Sequence, residues 1–163
     1  MTRQMASIKE ILDINTIPDA DSIELARIDG WQSVIKKNQF KVGDKIVFCE
    51  PDSLLPEKPE YEFMRSKKFR IKTCKLRGVT SQGICFPLNI LPEGSYEVNQ
   101  DVSELLGITK YEPPVPVQLR GRVRCPIFRL AVPKTDEMRV QNIPDVLERH
   151  EGTLFNINEK LDG

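Results

Sequence analysis

The chain has 163 residues, of which 39% are hydrophobic and 29% charged, and its formal net charge at pH 7 is zero. This is enough apolar material for one modest core, so we expect one domain, or one domain with part of a second. No run of about 18 apolar residues and no signal-peptide pattern occur, which predicts a soluble, cytoplasmic and monomeric protein without membrane contact. Four scattered cysteines and a single histidine argue against a structural zinc site.

Most of the chain is predicted to form short β-strands. Alternation of apolar and polar residues, or short apolar runs, predicts strands over residues 7–14, 23–28, 31–35, 45–49, 69–76 and 83–88. Asp29-Gly30 is typical of a hairpin turn between the second and third of these. Cys74 and Leu76 have the wrong parity for the strand that Phe69 begins, which predicts a bulge near Thr73.

Two short helices are predicted among the strands. Asp101 is a suitable N-cap for a helix over 102–106, which Gly107 would end. A second helix is expected over 144–150, because a proline at its first position costs no hydrogen bond. Short, regularly spaced strands with one early helix favour a small closed barrel over a sandwich.

Charges are unevenly distributed along the chain. Between positions 65 and 77 there are seven basic residues and no acidic one, namely Arg65, Lys67, Lys68, Arg70, Lys72, Lys75 and Arg77. Arg120, Arg122 and Arg124 would line one face of an extended segment. Such stretches in a neutral chain are typical of a surface that binds nucleic-acid phosphates, and an ordinary solvated strand face is the alternative.

The sequence Glu159-Lys160-Leu161-Asp162-Gly163 contains the motif with the most specific chemistry. In an extended segment Lys160 and Asp162 would lie on the same side, with an amine beside a carboxylate able to hold a divalent cation. Lys-x-Asp-Gly is the spacing expected of a lysine that attacks a nucleotide α-phosphate and keeps the nucleotide as a phosphoramidate. The alternative is a solvated surface turn, for which Asp-Gly is a common dipeptide.

Three segments, over residues 17–25, 40–44 and 76–84, resemble the OB modules that bind tRNA in synthetase-associated proteins. With Gly30-Trp31 and the stretch 49–56, the pattern is similar to the N-terminal module of one group of ATP-dependent RNA ligases. The resemblance implies a mainly β, OB-fold-like five-stranded barrel with a short helix over 1–110, and a Pro/Arg-rich connector over 111–132. Residues 133–163 would then begin an α+β nucleotidyltransferase (ATP-grasp-like ligase) domain.

The resemblance also implies roles for individual residues. Lys160 resembles the adenylated nucleophile, with ATP as cofactor and AMP as the covalent adduct. Glu159 stands where a glutamate recognises adenine, and Asp162 resembles the aspartate near the ribose and a Mg²⁺ or Mn²⁺ ion. Further nucleotide contacts are expected from Gly163, Arg139, Lys134 and Asn142. For Arg139, a surface ion pair with Asp136 or Glu137 is the alternative.

The expected function is therefore that of the front part of an RNA ligase, which joins 3′-hydroxyl and 5′-phosphate ends in RNA repair. RNA or an RNA-containing duplex is the expected partner. These 163 residues alone should be inactive, and the segment after about Pro133 should be poorly packed. A stand-alone tRNA- or RNA-binding OB module, a DNA ligase and a capping enzyme are the alternatives.

Overall fold

The structure is a computed structural model that describes residues 3–114 and 138–157. The strands in these ranges are β1 Ala6–Glu10, β2 Asp13–Thr16, β3 Ile23–Ile28, β4 Trp31–Lys36, β5 Lys45–Cys49, β6 Ser53–Leu54, β7 Cys74–Leu76, β8 Val79–Ser81, β9 Ile84–Pro87 and β10 Thr109–Lys110. The helices are α1 Ser103–Leu106, α2 Val146–Arg149 and three 3₁₀ helices, Pro59–Lys67, Leu88–Ile90 and Val140–Asn142. No helix in the described ranges is long and apolar enough to cross a membrane.

Two three-stranded antiparallel sheets form the barrel, in the orders β1-β5-β9 and β2-β3-β4. On one side they share a single bent strand, because β1 and β2 are interrupted only at residues 11–12. On the other side β4 is bonded to the residues that precede β9: the Gln82 amide donates to the Gln32 carbonyl over 2.8 Å, and the Ser33 hydroxyl donates to Gly83. The bent strand, β3, β4, β9 and β5 therefore correspond to the five predicted barrel strands, and the mainly β, OB-like prediction is confirmed.

Strand β5 lies between two hydrophobic clusters. Its alternate residues Ile46 and Phe48 pack in the barrel interior with Trp31, whereas Val47 and Cys49 pack in a second cluster beneath the 3₁₀ helix Pro59–Lys67. Successive side chains of a strand point to opposite faces, so a strand buried on both faces needs a continuous apolar run. This explains why 45–49 lacks the alternation seen in β3.

The prediction of a strand with a bulge over 69–76 is wrong. Lys68 and Phe69 both have positive φ, 52° and 56°, and a regular pair of strands begins only with the β7–β8 hairpin at Cys74. Before this break the chain forms the 3₁₀ helix Pro59–Lys67, which the sequence analysis missed. Tyr61 and Met64, three residues apart, are its buried side chains, which suits a helix of three residues per turn.

The helix predicted over 102–106 is observed as α1 and ends at Gly107 as predicted, but its N-cap is Val102 rather than Asp101. Asp101 Oδ1 accepts a hydrogen bond of 2.9 Å from the Ser103 amide, and Gly107, with φ of 71°, ends the helix by donating to the Glu104 carbonyl. The chain then pairs β10 with β6, and the Tyr111 amide donates to the Asp52 carbonyl. These contacts hold the exit of the barrel against the loop that follows β5.

Gly83 and Gly78 provide a matched test of the close approach between β5 and the residue that precedes β9. Both have positive φ, 75° and 82°, but a Cβ on Gly83 would lie 2.5 Å from the Cys49 carbonyl oxygen, whereas none lies near Gly78. Gly78→Ala should lower the free energy of unfolding by about 1–2 kcal/mol through backbone strain alone. Gly83→Ala should cost about 1–3 kcal/mol more, because the clash adds overpacking. Urea unfolding of both variants measures this, and equal losses would contradict the close approach.

Candidate functional site

Most of the predicted nucleotide site, all but Arg139 and Asn142, lies outside the described residues. The positions concerned are Lys134, Glu159, Lys160, Asp162 and Gly163, together with Arg120, Arg122 and Arg124 of the predicted phosphate-binding face. Their roles stay predictions. Within the part of the chain that the structure describes, no group of three or more His, Cys, Asp or Glu residues could hold a metal ion.

The basic residues of the stretch 65–77 fall into two groups, those with an ion-pair partner and those without one among the described residues. Arg65 pairs with Glu62 and Glu57 on the surface, and Arg70 donates to Asp52 over 2.7 Å. The remaining five cations are exposed and have no ion-pair partner among the described residues; these are Lys67, Lys68, Lys72, Lys75 and Arg77. Within the described ranges the stretch therefore presents five charges without an ion-pair partner, which suit contact with phosphates.

Two of these cations line one groove, which lies between the 3₁₀ helix Pro59–Lys67 and the β7–β8 hairpin. Lys67 lies at the end of the 3₁₀ helix, and Lys72 follows on the segment that leads into β7; both line the groove. The β7–β8 hairpin turns at Arg77 and Gly78, whose φ values are 49° and 82°. Two successive positive φ angles are typical of a tight hairpin turn, so Arg77 lies at the tip. Lys67 and Lys72 therefore share the groove, and Arg77 follows Leu76, another residue of the groove lining.

Asp52 connects this basic stretch with a distant part of the chain. Its Oδ1 accepts from Arg70, and its Oδ2 lies 3.3 Å from the guanidinium of Arg139. Partial burial alone would raise the pKa of the Asp52 carboxyl, but the Arg70 hydrogen bond and the charges of Arg70, Arg139 and Arg3 outweigh it and lower that pKa. Arg70 also stacks on Tyr111, with 3.7 Å from its guanidinium carbon to the ring centre, while its buried Nε has no hydrogen-bond partner among the described residues.

Glu50 is a carboxylate that is only 1% exposed, directly after β5. Two N–H groups of Arg3 donate to its Oε2, over 3.0 and 2.8 Å. The side-chain amide of Asn142 donates to Oε1, and the same Asn142 accepts 2.6 Å from the indole N–H of Trp31. A buried charge of this kind is tolerated only when its oxygens are bonded, so residue 142 completes the site from 92 positions away.

Gly30 also contacts the segment that contains Asn142. Its amide donates to the Gln141 carbonyl over 2.9 Å, and a Cβ on Gly30 would lie 2.8 Å from Gln141 Cα. Asp29, with φ of 48°, supplies the left-handed residue of the hairpin turn. The predicted turn is therefore confirmed, and its glycine is also required for close packing against a second segment.

Arg139 and Asn142, predicted as nucleotide contacts, use their polar groups in the barrel module. Arg139 lies over the Trp31 ring at 5.6 Å in addition to its pair with Asp52. Its alternative partners Asp136 and Glu137 lie outside the described residues, and the nucleotide roles stay predictions. No local sequence signal could have found these contacts, because every partner comes from before residue 53.

The expectation of a poorly packed segment after Pro133 is wrong for residues 139–142, which contact the barrel through Trp31, Glu50 and Asp52. Beyond Pro144 the helix is α2, shorter than the predicted 144–150, and several apolar side chains are exposed, among them Leu147 (69%), Leu154 (94%) and Ile157 (96%). For that part the expectation agrees with the structure.

Two kinds of similarity to known proteins agree with this architecture. A family model described as an OB-fold domain matches residues 5–88, so the chain belongs to the OB-fold domain family. The barrel strands β1 to β9 lie within that match. A comparison with curated proteins gives no match.

Among solved structures, the chain is similar to an RNA ligase of Naegleria gruberi. An apo aspartate mutant of that ligase is 39% identical over 93% of this chain, with a TM-score of 0.78. A lysine-to-alanine mutant with ATP and Mn is 39% identical over 91%, with a TM-score of 0.76, and a lysine-to-methionine mutant with AMP and Mn is 40% identical over 92%, with a TM-score of 0.77. The chain spans 48%, 47% and 47% of those proteins, about half their length.

The shared Asp52 carboxylate predicts a pH-dependent contribution to stability. Because its pKa is lowered by folding, the contribution is present above the ordinary aspartate value of about 3.9 and is lost as the pH falls through the lower folded value. Asp52→Asn should therefore lower the free energy of unfolding at pH 7, by about 1 kcal/mol given that the side chain is 37% exposed. The difference from wild type should vanish in acid.

Urea unfolding at several pH values measures this difference. Asp21→Asn is the control, because Asp21 is exposed and has no ion-pair partner among the described residues. The role of the Asp52 charge would be contradicted if the wild type and Asp52→Asn differed in free energy of unfolding by the same amount at neutral and at acid pH.

Proposed function

We propose that the chain is the N-terminal part of an ATP-dependent RNA ligase that seals 3′-hydroxyl and 5′-phosphate ends. The observation that carries this is the likeness to the Naegleria gruberi RNA ligase, at 39% identity and a TM-score of 0.78 over 93% of the chain. The OB-fold match adds support, as do the five exposed cations of the stretch 65–77 that have no ion-pair partner among the described residues. The RNA ligase assignment accounts for both.

The Lys-x-Asp-Gly motif supports the same proposal. Solved forms of the Naegleria ligase include mutants of a lysine and of an aspartate two positions further on, which is the spacing of Lys160 and Asp162. The lysine mutants were captured with ATP or AMP and with Mn. Lys160 is therefore our candidate nucleophile, ATP the candidate cofactor, and Asp162 the carboxylate that would approach a Mg²⁺ or Mn²⁺ ion.

The proposed division of the chain places the OB module over 1–110 and a connector over 111–132. The nucleotidyltransferase domain would begin within 133–163. Pairing of β10 with β6 and the Tyr111–Asp52 hydrogen bond support a boundary near residue 110, since the barrel makes its last strand contact there. The docked residues 139–142 would then be a part of the second domain held by the first.

The proposed chemistry comprises three phosphoryl transfers. The neutral amine of Lys160 attacks the ATP α-phosphorus, a nitrogen–phosphorus bond forms, and the bond to pyrophosphate breaks. AMP then passes from Lys160 to an RNA 5′-phosphate, and attack by a 3′-hydroxyl on that phosphate expels AMP. A bound divalent cation would neutralise charge that develops on the phosphates. Lysine is protonated when free, so its surroundings must favour the neutral form.

In the proposed ligase, the OB module would contribute positioning. Lys67, Lys68, Lys72, Lys75 and Arg77 are the candidate phosphate contacts, with Arg120, Arg122 and Arg124 as further candidates outside the described residues. Phosphate contacts fix register and orientation but carry no sequence information, so this surface suits an enzyme that acts on a broken end of any sequence.

The test is formation of a lysyl-AMP adduct in the full-length ligase with ATP labelled at the α-phosphate. The label should appear in an acid-labile, base-stable adduct that requires a divalent cation. Lys160→Ala should abolish it, and Lys160→Arg should also fail, because a guanidinium stays protonated and cannot attack. Asp162→Ala should weaken the step in a folded protein.

Labelling of the Lys160→Ala protein at the wild-type rate would contradict the ligase assignment. The better account would then be a stand-alone RNA-binding OB module. Thermal unfolding of each variant separates loss of chemistry from loss of fold.

A further inference from the structure

A groove of about 510 Å³ lies between the 3₁₀ helix Pro59–Lys67 and the β7–β8 hairpin. Met64, Ile71 and Ile84 give it an apolar floor, with Met64 and Ile71 buried. Among the described residues that line it there is no aspartate or glutamate. The groove is therefore a place where apolar surface and positive charge meet without a compensating acid.

The charge at the groove comes from lysines that are not engaged elsewhere. Lys67 and Lys72 line it, are exposed, and have no ion-pair partner in the described part of the chain. Arg70, which also lines it, is compensated by Asp52. Two solvated ammonium groups beside an apolar floor favour an anionic ligand, and a polyanion would gain from releasing counterions.

The same groove has apolar side chains at its exposed rim. Phe63 is 60% exposed and Leu76 is 43% exposed, and both line the groove. Phe63 rests against Phe86, with the ring centres 6.2 Å apart, so one part of the ring is supported while the rest faces solvent. A singly exposed apolar side chain is ordinary. Two of them beside two uncompensated lysines match a ligand that is both planar and charged.

We propose that this groove binds an unpaired stretch of RNA, with a base stacked on Phe63 and adjacent phosphates on Lys67 and Lys72. The choice of RNA rests on the proposed function; the choice of an unpaired strand rests on the groove. A duplex keeps its base faces stacked inside the helix and could satisfy only the lysines, whereas an unpaired nucleotide offers both a face and a phosphate. An acidic peptide would likewise satisfy only the lysines.

The test compares two RNA ligands by fluorescence anisotropy, using the 163-residue chain. One is an unstructured single strand of about 12 nucleotides, within the range that one OB fold covers. The other is a blunt RNA duplex of the same length. Phe63→Ala should weaken binding of the single strand by about tenfold and leave the duplex unchanged, while Phe63→Tyr should retain the wild-type affinity.

The lysines are tested by the salt dependence of binding. The combined change Lys67→Ala and Lys72→Ala should reduce the slope of log affinity against log salt by about 1.4 for the single strand. The matched controls are Phe155→Ala, an exposed phenylalanine outside the groove, and the pair Lys37→Ala and Lys41→Ala, exposed lysines outside it. Neither control should change the preference for the single strand.

The proposal is overturned if Phe63→Ala has no effect, or if it weakens single strand and duplex equally. It is also overturned if an oligoglutamate peptide of equal charge displaces the RNA as well as RNA itself does. The outcome is separable from that of the proposed function. If Phe63→Ala loses single-strand binding and the full-length protein forms no lysyl-AMP, the RNA-binding groove is supported and the ligase assignment is contradicted. If Phe63→Ala keeps single-strand binding and lysyl-AMP forms, the ligase assignment is supported and the groove is contradicted.

Discussion

The buried carboxylate of Glu50 is the group on which the arrangement of this protein depends. A carboxylate that is 1% exposed loses its hydration, which costs several kcal/mol. Hydrogen bonds within the protein must offset this cost. Arg3 supplies two of them and Asn142 a third, while Asn142 at the same time satisfies the indole of Trp31. Three parts of the chain that are remote in sequence are thereby held at one end of the barrel.

Asp52, two residues further on, extends this arrangement to the surface. One of its oxygens bonds Arg70, in the wall of the groove, and the other pairs with Arg139, in the segment held by Glu50. The short stretch after β5 therefore contacts both the proposed RNA-binding surface and the residues that lead toward the predicted nucleophile. An OB barrel that serves a catalytic domain needs such a fixed junction, because orientation of reacting groups depends on rigid support.

Most of the barrel could be predicted from the sequence, because β3, β4 and the turn at Asp29-Gly30 leave local signatures of alternation and turn chemistry. The 3₁₀ helix Pro59–Lys67 could not, since two buried residues three apart are too few for a periodic signal. The seven basic residues of 65–77 were found as a group. Which of them are paired, and which have no ion-pair partner among the described residues, depends on where the fold places the acidic residues. The contacts of Asn142 depend on tertiary structure in the same way.

The docking of residues 139–142 on the barrel is tested most directly through the fluorescence of Trp31, the single tryptophan of the chain. Asn142→Ala should shift its fluorescence to longer wavelength and speed hydrogen exchange of the Gly30 amide, which is bonded to Gln141. The reason is that the change leaves Glu50 Oε1 and the indole N–H without a partner, although Arg3 still binds Oε2. Asn156→Ala, at an exposed asparagine of the same segment, should change neither. Unaltered emission and unaltered Gly30 exchange in Asn142→Ala would contradict the docking of residues 139–142 on the barrel.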